Sequence, residues 1–239
     1  MKPLRWRKLT FRQPTEGDVP ALLDFSRNHP WGAEIYTTAT LCEAQPAIGS
    51  LWMGSDEKKR LRLVICDNGA YITYLTARRC IAAKPPEDEE GPDLFARPKL
   101  RYRLCRMVYR GKAAAVPEGV EPLRGGALLA MYEAIREPGA RSENTEKRYV
   151  FRARSVNAGL AETFAVYENE RLASTASVVA SNAVAALIGD VYTVFAFRFQ
   201  GYATRLTEAC VAHARRQGLT PALYCEKPMK RFYRRMGFR

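Results

Sequence analysis

Val191-Tyr192-Thr193-Val194-Phe195-Ala196-Phe197-Arg198-Phe199-Gln200-Gly201-Tyr202-Ala203-Thr204 reads as a strand that passes through a basic, glycine-containing turn into a helix. Such a junction is an anion cradle. The first turn of a helix leaves N–H groups without partners, and the helix dipole adds positive character there, so a pyrophosphate can accept from the amides around Gln200 to Thr204. Gly201 lets the backbone approach closely, Ala203 keeps the way open, and Thr204 adds a hydroxyl. Downstream, Leu206, Ala209, Cys210, Ala212 and His213 recur at helical spacing until Gly218. Pro221 to Cys225 then reads as a short strand, and Met229 to Met236 as a basic helix closed by Gly237. Upstream, Thr163 to Tyr167, Leu172 to Ala180 and Ala183 to Val194 form three β-rich runs separated by Glu168-Asn169-Glu170-Arg171 and Ser181-Asn182, the pattern of an antiparallel meander.

The first half is mixed α and β. Pro20 to Phe25 is a helical pattern preceded by the cap residues of Thr15-Glu16-Gly17-Asp18. Leu61 to Cys66 and Ala70 to Leu75 flank Asp67-Asn68-Gly69, a hairpin signal. Gly126 to Arg136 is again helical. Glu137 to Asn144 is a polar run without periodicity and reads as a linker, whereas Lys84 to Pro92 reads as a solvated acidic loop. The expected domains are therefore 1–140 and 146–239.

With 239 residues, 47% hydrophobic and 26% charged, the chain has enough apolar material for one large core or two modest ones. A formal net charge of +13 points to anionic partners: a phosphorylated cofactor, nucleic acid or a membrane surface. Residues 146–239 carry 15 Lys plus Arg against 7 Asp plus Glu, so the excess concentrates around the cradle. Six scattered Cys without a C-x-x-C pair read as free thiols of a reducing cytoplasm, and with only His29 and His213 as imidazoles there is little material for a metal site or a His-based triad. The basic N-terminus is followed by no apolar signal segment. Leu172 to Gly189 is uncharged, but its Ser, Thr and Asn content fits strands rather than a membrane span.

Arg198-Phe199-Gln200-Gly201-Tyr202-Ala203 resembles the R/Q-x-x-G-x-G/A pyrophosphate loop of the GNAT superfamily of acyl-CoA-dependent N-acyltransferases, and Tyr233-Arg234-Arg235-Met236-Gly237-Phe238 resembles that family's closing Y-x-x-x-G-F. The resemblance covers about Thr163 to Phe238. The first half is similar to the degenerate N-terminal lobe of tandem-GNAT proteins, with Leu22-Leu23-Asp24-Phe25 similar to a motif found there. The fold implied is mixed α/β (α+β): two GNAT-like lobes, each a mostly antiparallel mixed sheet flanked by helices. The activity implied is direct transfer of an acetyl group from acetyl-CoA to a primary amine on a small molecule or peptide; the thiols and the missing signal segment separately give the cytoplasm as the expected location. On this resemblance Tyr192, Thr193 and Val194 adjoin the pantetheine arm, and Phe199, Gln200, Gly201, Tyr202, Ala203 and Thr204 hold the pyrophosphate. Tyr233 is the general acid that reprotonates the CoA thiolate. The base is left open, Asp190 and Glu226 being the carboxylates nearest the expected site.

Departures from the family pattern accompany these matches. Phe199 stands where related loops have glycine, Glu226-Lys227-Pro228 replaces a common Asn, and the chain stops at Arg239, where the family adds a further strand. Either another segment supplies that strand or a sheet edge is open for association into a homo-oligomer. Each match also has a plainer explanation: an ordinary strand-to-helix turn for 198–204, a core aromatic for Tyr233, a solvated helix face for Lys227, Lys230, Arg231, Arg234, Arg235 and Arg239. Two other function classes stay open. One is a non-catalytic CoA-binding scaffold; the other is a nucleic-acid-associated basic protein, for which no recognised motif is present.

Overall fold

The computed structural model describes residues 8–41, 50–67, 71–84, 103–112, 115–134 and 142–239. Strand β1 (Thr10–Arg12), helices α1 (Val19–Arg27) and α2 (Ala33–Leu41), and strands β2 (Ser50–Ser55), β3 (Leu61–Asp67), β4 (Ile72–Leu75) and β5 (Cys80–Ala83) build the first lobe. Its five strands pair antiparallel in chain order. The expected hairpin is present as β3 and β4, while its Asn68-Gly69 turn lies outside the described residues. Leu22 of α1 and Ile35 and Ala39 of α2 pack on Leu51, Met53, Val64 and Leu75, so one face of this sheet is covered by helices.

The second sheet comprises β6 (Cys105–Val108), β7 (Glu121–Pro122), β8 (Glu162–Glu168), β9 (Arg171–Ser181), β10 (Ala185–Thr193) and β11 (Thr220–Cys225), in the order β6-β11-β10-β9-β8-β7. Helices α3 (Gly125–Ala134), α4 (Ser142–Asn157), α5 (Tyr202–Arg216) and α6 (Lys230–Arg235) complete it. Among the described strands only β10 and β11 run parallel, because α5 is the crossover between them. Alternation along the strands splits the core. Phe164, Val178, Ile188 and Leu223 face Leu206, Ala209 and Cys210 of α5, whereas Ala165 faces Leu128, Met131 and Tyr132 of α3. Leu172 to Gly189 thus belongs to two strands, and no helix among the described residues is long and apolar enough to cross a membrane.

One expectation changes. The run expected to be a linker is helical at its end: Ser142 to Asn144 open α4, and the rest of that run up to Arg141 lies outside the described residues, as does the acidic loop from Pro85. Among the described strands, β6 and β7 join the second sheet. The edge beside β11 is also closed. β6 pairs antiparallel with β11, and Val108 and Arg239 exchange backbone bonds of 2.8 and 2.9 Å. Of the two alternatives for that edge, the structure shows the first: another segment, β6, supplies the strand beside β11.

The lobes are bonded to each other through the 181–183 corner. Asn182 Nδ2 donates to the carbonyls of Ser26 (2.8 Å) and His29 (2.9 Å), and Thr37 Oγ1 donates to Ser181 O (3.1 Å). Ala33 packs beside Ala180 and Leu187, with Trp31 and Tyr224 around them.

The predicted cap residues cap the short 3-10 turn Glu16–Asp18 that leads into α1, and α1 itself starts without a side-chain cap. Thr15 N–H and its hydroxyl donate to Asp18 Oδ2 at 2.7 and 2.8 Å, and Arg12 forks onto the same carboxylate with two 2.6 Å bonds. The Arg12 guanidinium, opposed by partial burial and helped by the Thr15 donors, holds Asp18 well below the usual carboxylate range. A carboxylate with a depressed folded pKa contributes stability above its unfolded pKa, and that contribution is lost as pH falls. Asp18→Ala is expected to lower unfolding stability by about 1 kcal/mol at pH 7. Urea titration should show the gap to wild type closing below about pH 4.

Candidate active site

β10 and β11 are in register from Ala185↔Thr220 to Ile188↔Leu223 and no further. Beyond that last pair β10 keeps its antiparallel partner β9, through Tyr192↔Thr175 and Thr193↔Ser174, while β11 turns to β6. The two parallel strands therefore fork. A register shift between Gly189 and Tyr192, with Asp190 at φ 49°, places a bulge at the crotch of the fork and re-aims the strand. The β10 edge of Val191 to Thr193 that faces β11 lies beyond their last shared pair, the geometry an extended amide-bearing chain requires if it is to lie between them. Ser174 Oγ donates to Tyr192 O (2.7 Å), and Val194 N–H donates to Ala173 O (3.0 Å), which anchor this segment to β9.

The strand leads through a short 3-10 turn, Phe195–Phe197, into the cradle. The first bond of α5 runs from Arg205 N–H to Gly201 O (3.1 Å), so the amides of Gly201 to Thr204 precede the helix's own bonding. Gly201 has φ +85°, and a Cβ built on it meets nothing within 4 Å. Glycine is needed there for its left-handed backbone, and the space in front is open to a ligand. A diphosphate fits this donor set: unpaired amides, a helix N-terminus and Arg198, whose Nε donates to Thr193 O at 3.2 Å. Phe199, at the glycine position of related loops, also lies in the left-handed region (φ 64°), and its side chain is fully exposed. Its bulk points to water, away from the amides. Tyr202 is buried in the α5 core and donates its hydroxyl to Glu168 (2.6 Å), so its contribution to the cradle is its amide alone. Gln200 is exposed, and Ala203 and Thr204 are half-buried.

Tyr233 lies on the α5–α6 side of the sheet, 7% exposed, with its ring against Phe232 (4.9 Å) and Phe238 (5.8 Å). Burial first, and then Cys225 and Cys210, push its phenol well above the usual tyrosine range, so it holds its proton at neutral pH. Cys225 is the last residue of β11 and packs its thiol on Met107 Sδ (3.5 Å); burial pushes that thiol up to about 11, which makes it a poor nucleophile. His213, at the core-facing spacing, is half-buried and stacks edge-on to Phe164.

The two candidate bases are both engaged. Glu226 pairs on the surface with Lys84 Nζ (2.5 Å). Asp190 accepts from Arg152 (3.0 Å), Arg148 (3.4 Å) and the Tyr132 hydroxyl (3.2 Å). Arg152 is itself buried and donates to Val179 O (2.6 Å), so Asp190 serves as the counter-ion of a buried guanidinium, and a proton bound there would disrupt that pair. What the sequence did not reveal is the wall opposite Asp190. Glu34 of α2, 8% exposed, accepts from Tyr71 (2.7 Å) and Thr73 (2.9 Å). Nothing in the sequence distinguishes this glutamate from a surface residue of a first-turn helix.

Residues 128–238 match the acetyltransferase (GNAT) family model. No curated protein matches the chain. Among solved structures, a tandem GNAT protein from the clavulanic acid biosynthesis pathway is 16% identical, with TM-score 0.59 over 96% of this chain and 94% of its own. A GNAT-family acetyltransferase from Colwellia psychrerythraea is 14% identical, with TM-score 0.56 over 96% of both chains. A GNAT-family protein from Novosphingobium aromaticivorans is 22% identical with TM-score 0.45, and the match spans 57% of this chain and 58% of that protein. Residues 128–238 thus match the acetyltransferase (GNAT) family model, and the two-sheet mixed α/β fold of the chain is similar to that of the tandem GNAT protein.

Proposed function

We propose that the protein is an acetyl-CoA-dependent N-acetyltransferase that moves the acetyl group directly to a primary amine, with the donor on the second lobe and the acceptor entering between the lobes. The observation that carries this reading is the continuity of the β10–β11 fork with the open amides of Gly201 to Thr204. Acetyl-CoA supplies an acyl group already activated as a thioester. The amides of residues 199–204 hold its diphosphate, and the β10 edge at Tyr192 to Val194 accepts the pantetheine arm. Backbone N–H at the bulge can polarise the acyl carbonyl. As the C–N bond forms and the C–S bond breaks, Tyr233, kept protonated by its burial, delivers a proton to the departing thiolate. The proton shed by the amine nitrogen returns through solvent water to restore the phenol. The remaining rate comes from holding donor and amine together, since the reading invokes no covalent enzyme intermediate.

The test is transfer of acetyl label from acetyl-CoA to a panel of primary amines, followed by release of free thiol. Stoichiometric acetyl-amide and thiol are expected. CoA binding without transfer to any amine would instead support a non-catalytic CoA-binding protein. Binding of polynucleotide that weakens steeply with salt, with no binding of CoA, would support the nucleic-acid reading.

A further inference from the structure

Strands β9 and β10 slip out of register where the fork opens. Leu187 pairs with Ala180 and Ile188 with Val178, so Val179 is an extra residue on β9. Gly189 then pairs with Ser177 and Tyr192 with Thr175, so β10 has two residues there, Asp190 and Val191, where β9 has one. One bulge offsets the other. The slip is therefore confined to the stretch of β10 that contains its last pair with β11, Ile188↔Leu223, and the residues just beyond it. Gly189 permits the close approach of the slipped strands, since a Cβ built on it would lie 2.9 Å from Val179 Cγ1.

One buried side chain of α4 is bonded to both bulges. Arg152, 6% exposed, donates from Nη1 to the carbonyl of Val179 (2.6 Å) and from Nη2 to Asp190 Oδ2 (3.0 Å). Its Nε donates to the Tyr132 hydroxyl (3.1 Å), which donates in turn to Asp190 Oδ2 (3.2 Å). The extra residue of each strand is thus tied to the same guanidinium, and Asp190 is held by its side chain at a left-handed φ of 49°. A cavity of about 110 Å³ lies between the lobes beside this cluster, with Glu34 and Tyr71 on its first-lobe wall and Gly189 and Asp190 on its second-lobe wall. With open space on that side, packing alone does not hold the bulge. A planar guanidinium suits the task because separate nitrogens reach separate acceptors, whereas a lysine ammonium is a single point.

Resting on the acetyltransferase reading, we propose that Arg152 is a positioning residue of that reaction: by tying the Val179 bulge of β9 to the Asp190 bulge of β10, it sets the backbone N–H at the fork against the acyl carbonyl. Asp190, a carboxylate beside the expected site, then serves alignment rather than proton abstraction.

The test binds acetyl-CoA, isotope-labelled at the acetyl carbonyl, to the full chain and records the carbonyl stretching band by difference infrared spectroscopy. Kd for acetyl-CoA and kcat on the amine panel are measured in the same proteins: wild type, Arg152→Lys and Tyr132→Phe. Wild type should hold the band below its frequency in free acetyl-CoA. Lysine keeps the charge but reaches one acceptor at a time, so Arg152→Lys should return the band toward the free value and lower kcat by about 10- to 100-fold, with Kd unchanged. Tyr132→Phe keeps the ring and the guanidinium and removes one bond from each of Arg152 and Asp190, so it should move both readouts the same way by less. A lower melting temperature in Arg152→Lys with wild-type band and kcat overturns the proposal, because the guanidinium would then be structural only. A wild-type band at the free frequency overturns it too. Should Arg152→Lys fail to fold, an unaltered band and kcat in Tyr132→Phe overturn it instead. A band that depends on Arg152 without transfer to any amine would uphold the positioning role and contradict the acetyltransferase reading. Transfer with band and kcat indifferent to Arg152→Lys would do the reverse.

Discussion

Tyr233→Phe is expected to lower kcat by about 100-fold or more while leaving the affinity for acetyl-CoA unchanged, the magnitude of losing a positioned proton donor. The separation of the two effects follows from the packing. Phenylalanine keeps the ring that contacts Phe232 and Phe238, so α6 and the end of β11 stay in place and only the hydroxyl is removed. Because burial raises the Tyr233 phenol, the wild-type kcat profile should show no alkaline loss attributable to this residue near neutral pH. Steady-state kinetics with a donor titration on both proteins checks this. An unchanged kcat would return Tyr233 to the role of a core aromatic and require another proton source for the thiolate.

Gly201→Glu should abolish donor binding, with a weakening of at least about 100-fold, or about 2.7 kcal/mol. Two effects combine. A side chain at φ +85° strains the turn by about 1–2 kcal/mol, and the new carboxylate would occupy the open space before the amides of Gly201 to Thr204, where it repels the diphosphate. Gly201→Ala introduces the strain without the charge and should lose much less. Calorimetry of both variants separates these contributions, and an undiminished affinity in Gly201→Glu would move the diphosphate away from residues 199–204.

The strand-to-helix junction at 191–204 was legible in the sequence because it depends on local chemistry. A strand, a glycine that can adopt positive φ and an amphipathic helix lie within a few residues of one another, and periodicity reports each of them. The meander of β8 to β10 was legible for the same reason. α4 was not, because its inward face carries buried Arg152 and Ser155 where an apolar stripe would be expected, and its basic character hides the helix. β6 is four residues, Cys105 to Val108, too short to show an alternation; its place beside β11 is set by tertiary pairing across 118 positions of chain. Nor could the sequence distinguish Asp190 from Glu34. Asp190 adjoins the decisive stretch, but its role as counter-ion to Arg152 depends on α4 packing, and Glu34 lines the same cavity as Asp190 only because α2 docks on β9. Phe199, at the glycine position of related loops, has φ 64° and a fully exposed side chain, a placement that its sequence neighbours do not reveal.

The central claim, that residues 199–204 and the β10–β11 fork form a donor site, is tested most directly by titrating acetyl-CoA into the wild-type chain by calorimetry. One site of micromolar affinity, about −8 kcal/mol, displaced competitively by free CoA, is the predicted result. A chain that gives no binding signal with either acetyl-CoA or CoA would contradict it.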